Sequence, residues 1–174
     1  MTTKDSLVSS TIIVFVSLLF FFYTAGLIQH AVSLLNYPWA TDYVEWPEIG
    51  RAWNIVRGKP IYTEWNELPL QEANYTPIFT YINSHFVAFT GPTPFSGRLL
   101  ALLCLIASGA VIAWLVAGFS RAAALLGAFF WFSSHMCWMW SGLVRVDNMA
   151  VLLNLAAVLV CHYGWVKSKN KTAA

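Results

Sequence analysis

The chain has 174 residues, of which 58% are hydrophobic and only 10% are charged, and its mean hydropathy is +0.60. These values lie outside the usual range of soluble domains and indicate an integral membrane protein. The net charge of +2 is spread along the chain, which excludes the clustered basic face that nucleic-acid binding requires. The three cysteines, Cys104, Cys137 and Cys161, lie in apolar stretches without metal-ligand spacing, and we expect small, buried hydrophobic side chains.

The apolar runs predict four membrane spans, each with at least the roughly 20 residues that cross a bilayer. In chain order they cover about residues 8–35, 96–119, 121–140 and 147–166. We interpret the first as a retained anchor, because its apolar run is too long for a signal peptide and no small-residue cleavage site closes it. The predicted fold class is an all-α polytopic membrane protein, with residues 1–174 forming a single membrane domain.

Basic residues in the short loops and near the span ends give the expected orientation, because there the cytoplasmic side of a membrane protein carries the excess of lysine and arginine. With four spans, five of them fall on one side: Lys4, Arg121, Lys167, Lys169 and Lys171. Both termini are therefore predicted to be cytoplasmic, and the membrane is predicted to be the plasma (inner) membrane. Residues 36–95 and the turn at 138–147 are then expected on the outer side.

Residues 36–95 are predicted to form a structured outer loop, because they hold four of the nine tryptophans and five of the seven tyrosines. Disordered segments are poor in aromatic residues. Apolar residues recur at helical spacing over 48–56, after Pro47, and predict a short helix in the membrane interface that ends at Gly58. A second short helix is predicted over 77–89, too short to cross the membrane and therefore re-entrant or interfacial.

Several short segments follow one another in a characteristic order along the chain. After the anchor span come TDYVEW, a helix ending in RGKPIY, then YTPIFTYI, then GRLLALL at the start of the next span, and finally VRVDNMAVLLNLAA. This order, over about residues 10–165, resembles the N-terminal part of polytopic glycosyltransferases of the GT-C superfamily. The resemblance implies inverting transfer of a sugar from a polyprenyl-phosphate donor to an acceptor hydroxyl on the outer side of the membrane. It leaves a requirement for a divalent cation open.

The resemblance also implies a catalytic acidic residue in the first outer loop, which makes Asp42 the candidate base and Glu45 the alternate. A carboxylate at the membrane surface suits the removal of a proton from an acceptor hydroxyl. The alternative for Asp42 is an ordinary solvated turn residue. Glu45 and Glu48 are expected on the exposed side of the helix entry, where the dipole favours negative charge. Tyr75 matches the family's Tyr-x-Pro and is a candidate substrate contact, although an aromatic interface anchor explains it equally well.

Arg98 and Arg145 lie at the outer mouths of spans and are candidate contacts for the lipid phosphate, because a guanidinium suits a departing phosphate anion. The alternative for both is snorkelling into the headgroup region or, for Arg98, a structural contact. Asp147 lies two residues after Arg145, nearly opposite on a helix, so no local ion pair is expected. Asp147 is instead expected to hold an interior partner such as Arg98, which leaves Arg145 free for the phosphate.

The remaining features restrict the choice of function further. The four histidines lack ligand spacing and predict no metal site. Members of the family continue for several more spans, so three explanations stay open: a fragment of a full enzyme, a half-enzyme with a partner chain, or a noncatalytic accessory subunit of a larger membrane complex. The expected partners are membrane lipids, the polyprenyl-phosphate sugar donor and, in the last two cases, another membrane subunit. A transporter or channel is disfavoured, because spans one to three lack interior charges and no internal repeat is present.

Overall fold

The computed structural model describes residues 3–62 and 75–172, and within these ranges its regular elements are all α-helices. In chain order they are α1 (Thr3–Leu35), α2 (Glu45–Val56), α3 (Ile78–Thr90), α4 (Pro94–Ala117), α5 (Arg121–Phe132), α6 (His135–Trp140) and α7 (Asp147–Thr172). The all-α prediction is confirmed for this part of the chain. Residues 63–74 of the predicted outer loop lie outside the described residues.

In the described part of the chain, three helices are long and apolar enough to cross a membrane, which is compatible with an integral membrane protein. The qualifying segments are Val14–Leu35 of α1, Pro94–Ala117 of α4 and Asp147–Trp165 of α7. They coincide with the predicted first, second and fourth spans. The predicted third span, 121–140, consists instead of α5 with 12 residues and α6 with six. Neither of these two helices alone reaches the roughly 20 residues that a crossing needs.

The break between α5 and α6 follows from two adjacent serines. Ser134 has an extended backbone, and its hydroxyl accepts a hydrogen bond from the Cys137 N–H at 3.3 Å. A serine in this position caps the start of a new helix and competes with continuation of the previous one. The sequence pattern does not indicate this break, because Ser133 and Ser134 are only two small polar residues within a long apolar run.

Both short helices predicted between the first two spans are present. α2 begins three residues earlier than predicted, and α3 begins directly after Pro77. Gly58 follows α2 with a φ of 68°, and Gly91 follows α3 with a φ of 78°. This left-handed backbone conformation favours glycine, which explains why the two helices end where they do.

Two apolar clusters hold the helices together. The first joins α2, α3 and α4 to the start of α7 and consists of Ile49, Phe79, Leu100, Cys104, Val144 and Met149. The second joins α1, α4 and α6 and consists of Leu27, Leu105 and Cys137. Burial of one such large apolar side chain contributes about 1.5–3 kcal/mol. The first cluster therefore fixes the α2–α3 pair against α4 and α7, where the charged residues of the site lie.

α4 is the central helix, and the other two candidate spans bury much less of their surface. One third of the apolar window of α4 is buried, against 11% in α1 and 11% in α7. Much of the surface of α1 and α7 therefore faces away from the chain itself.

The three cysteines were expected to be buried. Cys104 and Cys137 are buried, as predicted, but the prediction for Cys161 was wrong, because Cys161 is exposed on α7.

Candidate functional site

A buried ion pair lies where the loop after α1 meets the first turns of α2 and α4. Arg98 donates from Nε and Nη2 to the two carboxylate oxygens of Glu45, at 2.9 and 2.8 Å, and neither side chain has exposed surface. The other N–H groups of Arg98 reach the carbonyl oxygens of Leu34, Tyr37 and Trp39, at 2.5, 2.6 and 2.8 Å. A guanidinium has five N–H donors, and here all five have acceptors.

Arg98 also satisfies the end of α1. The Leu34 carbonyl is one of the last four in that helix, which have no partner within the helix. A cation is favoured at this end by the helix dipole. One side chain of α4 thereby fixes the end of α1 and the loop that leads to α2.

Glu45 is as fully bonded as Arg98. Its Oε2 accepts hydrogen bonds from the Thr41 N–H at 2.7 Å and the Thr41 hydroxyl at 3.3 Å, and its Oε1 accepts from the Val144 N–H at 3.0 Å. Burial raises the pKa of this carboxyl, but the bonds from Arg98, Thr41 and Val144 outweigh burial and leave the pKa below its ordinary value. The exposed position expected for Glu45 was wrong, and the enclosed carboxylate leaves no surface for an acceptor hydroxyl.

Two further expectations about these charges were wrong. Arg98 neither snorkels nor pairs with Asp147, because Glu45 and the three carbonyls use all of its donors. Glu48, also expected to be exposed, is buried, pairs with Arg51 and accepts a hydrogen bond from the Thr80 hydroxyl at 3.0 Å. Both glutamates of α2 therefore point into the protein and join α2 to its neighbours.

A second, more open charge cluster lies beside the buried pair, where Arg145 bridges two carboxylates. Its Nη1 donates to Asp42 Oδ2 at 2.9 Å, and its Nε donates to Asp147 Oδ2 at 2.8 Å. The guanidinium lies over the ring of Trp140, 4.1 Å from the centroid. The side chains of Asp42 and Arg145 are 13% and 15% exposed, and that of Asp147 is 42% exposed. We call Asp42, Arg145 and Asp147 the open cluster.

The local pair of Arg145 with Asp147 contradicts the expectation from helical geometry. α7 begins at Asp147, so Arg145 lies in the preceding loop and is free to fold back onto the aspartate. Arg145 is therefore not the unpaired cation that was expected to be free for phosphate. Its Nη2, however, makes no hydrogen bond with the described residues, and this leaves two N–H donors for an anion.

The two carboxylates of the open cluster favour the positively charged form of Arg145. Partial burial lowers the pKa of Arg145, but Asp147 and Asp42 raise it by more, so the net shift is upward. With both aspartates ionised, the three side chains together carry one negative charge. Within this net-negative cluster, Nη2 of Arg145 is the group that can donate to an anion while Nη1 and Nε hold the two carboxylates.

The buried pair and the open cluster are joined through the backbone. Thr41 precedes Asp42 and Val144 precedes Arg145, and Glu45 holds the N–H groups of both preceding residues. The close approach of this loop also depends on Gly97, where a β-carbon would overlap the Val144 side chain. Glu45 therefore positions the backbone on both sides of the Asp42–Arg145 contact.

Two grooves lie near the open cluster. The larger, about 760 Å³, runs between α1 and the α5–α6 segment, is mostly apolar, and reaches Thr41 and Leu143 at one end. The smaller, about 430 Å³, lies between the first turn of α3 and α7, and Val146 lines it. Tyr75 lines the smaller groove and makes no hydrogen bond with Asp42 or Arg145. Within the described residues, no group of three or more His, Cys, Asp or Glu side chains is placed to hold a metal ion.

Comparisons with protein-family models, curated proteins and solved structures gave no match to this chain. The resemblance to GT-C glycosyltransferases is therefore carried by the sequence segments alone.

Three residues of the site escaped prediction. Thr41 and Val144 act through their backbone N–H groups, which leave no signal in residue type. Trp140 contacts Arg145 through the ring face, and a tryptophan near a span end is equally typical of a membrane interface.

We expect the fold to lose stability in acid because of Glu45. A carboxyl whose pKa is lower in the folded than in the unfolded chain stabilises the fold above the ordinary glutamate pKa, about 4.3. That contribution is lost as pH falls through the lower, folded value. The thermal midpoint in detergent should therefore stay level from pH 7 to about pH 5 and decrease below it. Glu45→Gln should be less stable at pH 7 and should show less of this decrease; an equal decrease in the variant would contradict the assignment.

Proposed function

We propose that this chain is a GT-C-like membrane glycosyltransferase module that transfers a sugar from a polyprenyl-phosphate donor to an acceptor hydroxyl on the outer face of the membrane. The observation that carries the proposal is the contact between Asp42 and Arg145 in the open cluster. It supports the proposal because a base for the acceptor and a cation for the phosphate lie side by side. Arg145 also keeps two N–H donors free of the described residues.

In the proposed reaction, Asp42 accepts the proton of the acceptor hydroxyl as the hydroxyl oxygen attacks the anomeric carbon. Attack from the face opposite the phosphate breaks the bond between that carbon and the phosphate oxygen, so the configuration inverts. The polyprenyl phosphate leaves with the electron pair of the broken bond. Arg145 stabilises the added negative charge through Nη2, in a site where partial burial strengthens the interaction.

The larger groove supports a lipid-linked donor. It is mostly apolar, and it reaches Thr41 and Leu143, which are close in sequence to Asp42 and Arg145. Isoprenoid units in this groove would stay in apolar surroundings, while the phosphate lies at the open cluster. In this proposal, the α1 and α6 walls bind the lipid and the loops bind the sugar phosphate.

The proposal includes four crossings, with α5 and α6 together as the third. The two helices cover residues 121–140, which matches the roughly 20 residues of a crossing. A broken helix is tolerated in a membrane where it lies against protein that satisfies its backbone, and Ser134 caps the second part. Lysine and arginine placement then supports cytoplasmic termini in the plasma (inner) membrane, with α2 and α3 as interfacial helices on the outer side.

Sugar transfer by the full chain in liposomes tests the proposal. A panel of polyprenyl-phosphate hexoses and pentoses would be offered with long-chain alcohol acceptors, to wild type and to Asp42→Asn. General bases contribute roughly 10²–10⁴-fold, so we expect transfer by Asp42→Asn to decrease at least about 100-fold. Asp147→Asn makes the same change at the other carboxylate of the cluster, which contacts Arg145 but takes no proton in the proposed reaction, and it should decrease transfer less than Asp42→Asn does. Equal transfer by wild type and Asp42→Asn would contradict the role of Asp42.

A noncatalytic accessory subunit is the second candidate function, and the low burial of α1 and α7 favours it. Only 11% of the apolar window of each helix is buried within the chain, which leaves broad faces for another membrane subunit. If folded wild type transfers no sugar from any donor of the panel, this alternative replaces the enzyme. Affinity purification from a mild detergent would then identify the partner.

A further inference from the structure

The smaller groove, between the first turn of α3 and α7, combines apolar walls with a few polar groups. Its volume is about 430 Å³, within the range of roughly 300–1,000 Å³ that is usual for small-molecule sites. Its polar lining side chains are Tyr75, Thr76 and Asn154, and the others are apolar. Such a lining suits a ligand with a hydrocarbon part and a small polar part.

Asn154 gives this groove a polar side chain with hydrogen-bonding groups that the described residues leave unused. It lies within the candidate span Asp147–Trp165, two turns after the helix begins, and its side chain is exposed. One amide N–H donates to the Ala150 carbonyl at 2.9 Å. The second N–H and the amide oxygen make no hydrogen bond with the described residues. Since the hydrocarbon region offers no water, a polar group there requires a partner, and none of the described residues supplies one for these two groups.

Tyr75 and Thr76 line the same groove, and neither hydroxyl group makes a hydrogen bond with the described residues. Together with the Asn154 amide they offer both donors and acceptors, which is the requirement of a hydroxyl group. Among residues 3–62 and 75–172, no charged side chain lines the groove, so an ionised ligand group would find no counter-charge there in a poorly hydrated place. The polar part of the ligand is therefore uncharged.

We propose that this groove binds a membrane-embedded amphiphile through an uncharged, hydroxyl-bearing head group. The hydrocarbon part lies against Ile78, Phe79 and Leu153, and the hydroxyl contacts the Asn154 amide. Val146, between Arg145 and Asp147 of the open cluster, also lines the groove. The ligand would therefore reach the open cluster from the lipid phase. Its assignment as the sugar acceptor rests on the proposed function, whereas the binding site itself does not.

Photolabelling of the full chain in phosphatidylcholine liposomes tests the site without any sugar donor. The probe is hexadecanol with a diazirine near the hydroxyl end, and the comparison probe is the matching alkyl sulfate, which is always anionic. Labelled peptides are mapped by mass spectrometry. We expect the alcohol to label residues 75–79 and 146–154 at least fivefold more than the sulfate does, and excess unlabelled hexadecanol to prevent this labelling.

Two variants and a matched control make the test specific. Ala150→Phe fills the groove and should lower labelling of these segments at least fivefold, whereas Ala157→Phe, an exposed position two turns further along α7, should not. Asn154→Leu should remove the preference for the alcohol. Equal labelling by both probes, labelling unaffected by Ala150→Phe, or cross-links from the groove to a second copy of the chain would each overturn the site. If labelling succeeds and sugar transfer fails, the lipid site stands and the proposed function does not.

Discussion

Arg98→Met is expected to lower the free energy of unfolding by about 3–5 kcal/mol, the usual cost of removing one partner of a buried ion pair. Glu45 would lose its counter-charge in a place without exposed surface, and the carbonyls of Leu34, Tyr37 and Trp39 would lose the N–H groups of Arg98, with Leu34 keeping the N–H of Tyr37. A loss of this size is a large part of the stability of a typical domain, about 5–15 kcal/mol. Unfolding in mixed micelles with increasing dodecyl sulfate would measure it.

A double-mutant cycle separates the ion pair from the other bonds of Arg98. Glu45→Gln combined with Arg98→Met removes both charges, so the double variant should be less destabilised than the sum of the two single variants. It should not return to wild-type stability, because the three carbonyls stay without Arg98. Arg57→Met, at an exposed arginine, should change stability by no more than about 0.5 kcal/mol. A cost for Arg98→Met as small as that for Arg57→Met would rule out the buried pair.

Arg145→Met is expected to lower kcat/KM for sugar transfer by at least about 100-fold, the usual loss when one donor to a developing anion is removed. This result depends on the proposed function. The variant loses the bond to Asp42, the bond to Asp147 and the two N–H groups of Nη2 together. Arg145→Lys should lose less, because it keeps the charge, but it cannot reproduce the planar arrangement that joins two carboxylates. Transfer rates over a range of donor concentrations would separate kcat from KM.

The control for this experiment is Arg121→Met, which removes an exposed arginine at the start of α5. It should leave transfer unchanged. A thermal midpoint for Arg145→Met within a few degrees of wild type would show that the loss lies in the site and not in the fold. Unchanged transfer by Arg145→Met would exclude Arg145 from phosphate binding.

Much of the helical frame was predictable because its signals are local. The long apolar runs of α1, α4 and α7 indicate helices of spanning length whatever their neighbours are. α2 was predicted from apolar periodicity and the Gly58 that follows it, and α3 from Pro77 at its start and the GPTP segment at its end. The break at Ser133 and Ser134 escaped prediction, because average hydropathy over a window is insensitive to two small polar residues.

The site was harder to predict because its contacts join distant residues. Glu45 has the position of an ordinary exposed glutamate in a first helical turn, and only the fold places Arg98, 53 residues later, against it. The Arg145–Asp147 pair was missed for a different reason: helical geometry was applied to a residue that lies just before the helix. Asp42 and Arg145 were both chosen as site residues from sequence, but their contact, over 103 residues, depends on the whole arrangement.

The long separations within the Glu45 network have a consequence for the order in which the chain assembles. Glu45 is made before Arg98 and well before Val144, from which it is separated by 99 residues. A chain synthesised only as far as α3 holds this carboxylate without its cation, and one synthesised as far as α4 still lacks the N–H of Val144. Since local helices form faster than long-range contacts, α1 and α2 can be helical early, while the loop around Asp42 stays unfixed. The open cluster therefore becomes ordered only after the segment before α7 has emerged and docked.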